Sequence, residues 1–257
     1  MMNLVALPAF SDNYIWLLHD GAQAIVVDPG DAAPVLAALD SLQLTLAGIL
    51  LTHHHADHVG GVTALRPRLQ GPVYGPAREE IPTPFVPVAQ GDTAVLMGLA
   101  FEVIDVPGHT AGHIAYFLPA HGGAEPMLFC GDTLFSAGCG RLFEGTPAQM
   151  HHSLAKLAAL PGATRVCCGH EYTEANLRFA AAVEPANADV AARISASRTL
   201  RAAGQPTLPS TIARELAINP FMRCDQAAVI RSAAQRGAAD AGGPAVLGAL
   251  REWKNHF

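Results

Sequence analysis

As far as about residue 170 the chain is built of short apolar runs broken by glycine and proline, the rhythm of strands joined by tight turns. Residues 4–7, 14–18 and 24–27 predict three strands in close succession. The third ends in Asp28-Pro29-Gly30-Asp31, a turn that leads into an alanine-rich helix over 32–42. Residues 46–51 are continuously apolar, as in a strand buried on both faces. Further strands are predicted over 101–106, 113–117, 127–130 and 165–168, and helices over 60–69 and 147–160, the second with Thr146 as N-cap and Pro147 at the first helical position.

Beyond Glu171 the pattern changes. Alanine occurs 21 times in residues 1–150 and 26 times in the remaining 107, and β-branched runs largely vanish. This composition favours helices over 173–182, 188–203, 210–217, 225–235 and 244–253. The reading is an α/β domain over 1–172 carrying a small all-helical domain over 173–257, without internal repeats.

Composition narrows the function classes. Half of the 257 residues are hydrophobic and 15% are charged, which fits a globular chain. Sixteen basic residues against 22 acidic ones give a net charge of −6, and no basic tract interleaves with aromatics, which argues against nucleic acid as a partner. No run of 18 apolar residues occurs, so no membrane span is expected. The first basic residue is Arg66, so a basic secretory leader is not expected either. Five cysteines, two of them adjacent at Cys167-Cys168, suit a reducing cytoplasm better than a disulfide framework. A cytoplasmic monomer acting on a small molecule is expected.

Ten of the 12 histidines lie between His53 and His170. Thr52-His53-His54-His55-Ala56-Asp57-His58 directly follows the buried strand over 46–51, which delivers it to the rim of the sheet. In an extended segment His53 and His55 share one face while His54 points the other way. Asp57 and His58 follow a turn and can serve a second position beside the first. Four nitrogen and oxygen donors in six residues are more than one ion takes easily from so short a loop, so two ions are the economical reading. Pro107-Gly108-His109, Gly131-Asp132 and Gly169-His170 repeat one form: an apolar run, a glycine that permits a tight turn, then a potential ligand. A single histidine after a strand is more often an ordinary hydrogen-bonded residue; the joint occurrence with the dense His/Asp loop favours ligands. His113, His151 and His152 take the ordinary reading, His54 a supporting hydrogen-bonding role, and Cys130 that of a small buried apolar residue.

These motifs resemble the metallo-β-lactamase superfamily, whose signature is H-x-H-x-D-H followed by a His, an Asp and a His. The resemblance implies an αββα sandwich with a dinuclear site at its rim: His53, His55 and His109 on one metal, Asp57, His58 and His170 on the other, and Asp132 bridging. Within the superfamily, the segments over 139–146, 169–173 and 219–223 and the terminal Arg251-Glu252-Trp253-Lys254 resemble the hydroxyacylglutathione hydrolase (glyoxalase II) family, a likeness that runs from Leu4 to Phe257. It implies that Arg141, Phe143, Tyr172, Arg251 and Lys254 hold glutathione. Arg141 stands where the family commonly has lysine, and Phe143 where it has tyrosine, so one hydroxyl hydrogen bond to glutathione is missing. Taken alone, Arg251 and Lys254 would read as solvated residues on one face of a terminal helix.

The implied reaction is hydrolysis of the thioester of S-D-lactoylglutathione in methylglyoxal degradation. A metal-bound hydroxide attacks, with Asp132 and Asp57 as the catalytic carboxylates and two divalent ions, zinc before iron or manganese, as cofactors. The rivals are a mononuclear iron persulfide dioxygenase of the same superfamily, another hydrolase of that fold such as a β-lactamase, lactonase or phosphodiesterase, and a non-catalytic metal-binding scaffold.

Overall fold

A computed structural model describes residues 2–257 of the chain. Two compact units emerge: the residues up to Asp105 with Gly112–Gly131, and Val106–Ala111 with Asp132–Phe257.

In the first unit, β1 (Asn3–Ala9), β2 (Asn13–His19) and β3 (Gln23–Val27) form the antiparallel trio that the apolar runs predict. The Asp-Pro-Gly-Asp turn then starts α1 (Ala32–Ser41), because the Asp31 carboxylate accepts the Ala33 amide at 2.9 Å and so caps the helix. α1 returns the chain so that β4 (Thr45–Leu50) runs parallel to β3. Leu46, Ile49 and Leu50 are fully buried, as a continuous apolar strand requires. The sheet continues through β5 (Val73–Pro76) to the edge strand β6 (Val86–Val88). The apolar pattern does not reveal these two, since both are short and carry proline; at an edge, Pro87 costs no ladder bond.

A second antiparallel layer in this unit comprises β7 (Thr93–Leu96), β8 (Leu99–Asp105), β9 (Ile114–Leu118) and β10 (Met127–Gly131). The layers meet where Gly48 of β4 makes room for Leu96: a Cβ at Gly48 would lie 2.3 Å from Leu96 Cδ2. Tyr116 of β9 donates its hydroxyl to the Leu51 carbonyl at 3.1 Å. Ile15, Leu17, Val26, Val35, Leu39 and Ile49 belong to the core against which α1 packs.

The helix expected over 60–69 is broken into α2 (Ala56–Val59), α3 (Val62–Leu65) and a 3-10 turn at Arg66–Arg68. Gly61 presses on the turn before α1, its amide donating to the Pro29 carbonyl at 2.9 Å, and Pro67 supplies no N–H to continue a helix. The helical start thus moves upstream, into the histidine-rich loop itself.

The second unit opens with a small hairpin of β11 (Leu134–Phe135) and β12 (Gly138–Cys139). α4 (Pro147–Ala158) begins at the expected Thr146, whose side chain and Gln149 cap each other. β13 (Arg165–Cys168) pairs with β14 (Ser210–Thr211). The five expected helices follow 171: α5 (Thr173–Val183), α6 (Ala188–Ala202), α7 (Ile212–Ile218), α8 (Ala227–Ala234) and α9 (Gly243–Asn255). Ser210 and Thr211 are extended and not helical, because the Thr211 hydroxyl accepts the Arg214 amide at 3.2 Å and caps α7 from outside. Leu177, Ala180, Val190 and Ile218 bury the apolar faces of α5, α6 and α7 around Ala137.

Candidate functional site

The first unit brings His53, His55, Asp57 and His58 together on the loop and short helix that follow β4. His53 and His58 are buried, and the Asp57 side chain is 42% exposed. Asp28, in the left-handed region at φ 51, is the organising residue: its carboxylate accepts the Thr52 amide at 2.8 Å, the Thr52 hydroxyl at 2.7 Å and His58 Nδ1 at 3.0 Å. With its proton given to Asp28, Thr52 Oγ1 accepts from His53 Nδ1 at 3.1 Å. Both imidazoles therefore carry their proton on Nδ1 and present the Nε2 lone pair. His53 Nε2 lies 3.1 Å from His55 Nδ1. Two nitrogens bound to one tetrahedral ion at about 2.0–2.1 Å would lie roughly 3.3 Å apart, so the pair fits a shared ion.

His54 points the other way, as alternation requires, and both its amide and Nδ1 engage Glu79, at 2.6 and 3.0 Å. His113, read as ordinary from the sequence, is fully buried and stacks on His53 at 4.5 Å. Gly131 at the end of β10 is at φ 47, and a Cβ there would lie 2.2 Å from Thr52 Oγ1, so the glycine before the candidate Asp132 is a steric requirement.

The second unit brings His109, Asp132 and His170 together, all buried. Asp132 Oδ2 lies 3.5 Å from His109 Nε2 and 3.3 Å from His170 Nε2, a carboxylate oxygen between two imidazoles. His109 Nδ1 donates to the Arg141 carbonyl at 2.9 Å, which directs its Nε2 at Asp132. Gly140 closes the cradle: a Cβ there would lie 2.1 Å from the Asp132 carbonyl and 3.0 Å from His109 Nδ1. Tyr172 stacks flat on His170, with centroids 4.7 Å apart, and Phe135 meets both rings edge-on.

Of the residues expected to hold glutathione, Arg141, Phe143 and Arg251 line one open cleft of about 470 Å³, together with Pro147, Gly248 and His256. Phe143 is 63% exposed there and meets His109 edge-on at 5.3 Å. Arg251 is not the solvated residue of a terminal helix: only 6% exposed, it donates to the Cys139 carbonyl at 2.8 Å and sits over Phe221. Lys254 faces Phe179, its ammonium 5.6 Å from the ring centroid. Burial first, and the positive charge of Arg251 second, bring its pKa down to about 8.

Sequence reasoning missed the residues that hold these groups. Asp28 reads as part of a turn, and Asn13, which donates to the Asp57 carboxylate at 2.9 Å, lies just before the strand expected over 14–18 and carries no signal of its own. Glu215 reads as one acid on a helix; it is fully buried and accepts from the Ala137 amide at 2.7 Å, from the Ser210 hydroxyl and from Asn219 at 3.2 Å. Asn219 also donates to the Phe135 and Gly138 carbonyls, so one buried cluster secures the β11–β12 hairpin just after Asp132.

A family model described as the metallo-β-lactamase superfamily matches residues 9–170, and one described as the hydroxyacylglutathione hydrolase C-terminus matches residues 171–257. A hydroxyacylglutathione hydrolase from Albidiferax ferrireducens is 57% identical over 256 residues, covering 100% of both chains. Among solved structures, ETHE1 from Myxococcus xanthus is similar with a TM-score of 0.64 and 29% identity, over 86% of this chain and 84% of that one. TTHA1623 in a di-iron-bound form is similar with a TM-score of 0.53 and 35% identity, over 65% of this chain and 91% of that one.

Proposed function

The chain belongs to the metallo-β-lactamase superfamily and, within it, to the hydroxyacylglutathione hydrolase family, and from that premise we propose the reaction and the residues that carry it. It is an α/β hydrolase of the metallo-β-lactamase fold with a helical C-terminal region, and its reaction is the hydrolysis of S-D-lactoylglutathione to glutathione and D-lactate. The match of residues 171–257 to the hydroxyacylglutathione hydrolase C-terminus carries this reading above a persulfide dioxygenase or another hydrolase of the fold, because that segment bears Tyr172, Arg251 and Lys254. We assign catalysis to 1–172 and the larger share of glutathione binding to 173–257.

In this proposal His53, His55 and His109 hold one divalent ion, Asp57, His58 and His170 the other, and Asp132 is shared. The donor sets support it: two imidazoles with proton-fixed tautomers in one unit, and a carboxylate between two imidazoles in the other. Imidazole and carboxylate donors suit zinc, and equally iron or manganese, and the similar TTHA1623 holds two irons. A pair of such ions, when bound, makes water acidic enough to act as hydroxide near pH 7 and polarises a carbonyl.

The chain's own residues then do the rest. Asp57 accepts a hydrogen bond from the attacking water and orients it. Arg141 and Arg251 neutralise glutathione carboxylates in the cleft, and Tyr172 and Phe143 give the peptide flat apolar walls. The leaving thiolate has a solution pKa of about 8.5 and departs without a strong acid. The enzyme works on a small thioester as a cytoplasmic monomer, a placement supported by five cysteines that are all buried thiols. Among the described residues no helix is long and apolar enough to cross a membrane.

The test is thiol release from S-D-lactoylglutathione, with metal content measured on the same sample. Rapid release with two ions per chain supports the reading; oxygen consumption by a one-iron protein overturns it. Two further outcomes follow from the residues proposed to hold glutathione. Lys254, whose pKa is brought down to about 8, loses its charge above that pH, so KM is expected to be flat at lower pH and to rise above about pH 8 until it levels off at the value for the uncharged side chain. Lys254→Met should raise KM at low pH and abolish that upper limb. Phe143→Tyr restores a hydroxyl and should lower KM between about two- and tenfold, the effect of one hydrogen bond of 0.5–1.5 kcal/mol, with kcat unchanged.

A further inference from the structure

We propose that Asn13 is the positioning residue of one metal site: its carboxamide holds Asp57 in the orientation in which that carboxylate serves as a ligand. This inference rests on the dinuclear reading given above.

Asn13 is the first residue of β2, opposite Ala9 at the closed end of the β1–β2 hairpin, and it is 6% exposed. Its Nδ2 donates to Asp57 Oδ2 at 2.9 Å and lies 3.5 Å from the Asp57 carbonyl oxygen. One amide thus touches both the side chain and the main chain of the same residue. From the other side Gly30 is pressed against that main chain: a Cβ at Gly30 would lie 1.8 Å from the Asp57 carbonyl oxygen. Asp57 therefore has a backbone trapped against Gly30 and a carboxylate tied to a buried strand residue.

The need for a tie follows from where Asp57 sits. It lies on a helix of four residues, and its side chain is 42% exposed, so water would compete for the carboxylate and several rotamers would be open to it. Its neighbour His58 has Asp28 for the same purpose, and His53 has Thr52. Asn13 completes the set. An amide also suits the task better than its isostere aspartate. It donates where Asp57 accepts, carries no charge, and its nitrogen does not compete for the ion. An aspartate at position 13 would set a second carboxylate against the first.

Residues that orient metal ligands typically contribute about 10- to 100-fold in metal affinity or activity. Asn13→Ala should therefore retain close to one ion per chain after dialysis against a weak chelator, where the unaltered protein retains two. Its kcat should fall by about 10- to 100-fold, with KM for the thioester changed less than about twofold, because glutathione is gripped elsewhere. Saturating metal should restore most of kcat, which it would not do for a merely misfolded variant. Asn13→Asp, of the same size, should show the same loss and keeps the test valid if the alanine variant folds poorly. Ser11→Ala, on the exposed tip of the same hairpin, should keep both ions. Two tightly held ions and normal kcat in both Asn13 variants would overturn the proposal alone. Fewer than two ions in the unaltered protein would overturn the dinuclear reading beneath it.

Discussion

Asp132→Ala is expected to release both ions and to lower kcat/KM by about three orders of magnitude, since divalent-metal chemistry is worth several kcal/mol at the transition state and each 1.36 kcal/mol is tenfold. The expectation rests on the position of its Oδ2, 3.3–3.5 Å from the Nε2 atoms of both His170 and His109. Each histidine is also supported independently, His109 by the Arg141 carbonyl and His170 by the flat face of Tyr172, so neither should move far when the carboxylate is removed. The loss should thus be chemical more than structural. Metal analysis, the rate of thiol release and the circular dichroism of the metal-free protein separate the two. Asp132→Ala with two bound ions and near-normal turnover would remove it from the centre of the reaction.

Glu215→Ala should produce the largest loss of stability, about 3–5 kcal/mol, by leaving several buried donors without their acceptor. For a chain of this size that corresponds to a fall in Tm of roughly 10 °C. Burial pushes the Glu215 carboxyl pKa up, and the hydrogen bonds from Ser210, Ala137 and Asn219 oppose that shift. Removing the carboxylate leaves the Ala137 amide facing apolar surroundings, at a residue already held at φ 57. The β11–β12 hairpin would loosen with it, so melting curves should fall in the metal-free and metal-loaded proteins alike. A Tm unchanged within about 2 °C would show that Ser210, Ala137 and Asn219 find other partners.

The candidate donors and most of the strands that lead to them were legible in the sequence because both depend on local pattern. An apolar run of six residues predicts β4 whatever surrounds it, and an extended His53-x-His55 puts two imidazoles on one face by geometry alone. Thr146-Pro147 predicts the start of α4, and the alanine-rich composition after Glu171 predicts five helices. Local pattern fails where a local signal competes with a distant contact. The helix expected over 60–69 breaks because Gly61 must approach Pro29, and Ser210 is extended because it pairs with Val166.

Sequence alone determined the fold class, the candidate imidazole and carboxylate donors, and through resemblance the family and its glutathione thioester. The tertiary structure alone decided which side chains orient those donors. Asp57 is held by Asn13 from 44 residues away, His58 by Asp28 from 30, and the hairpin after Asp132 by Glu215 from 78. A donor's chemistry belongs to its residue type and can be read one position at a time. Its direction comes from a hydrogen-bond partner that only the folded chain brings within about 3 Å.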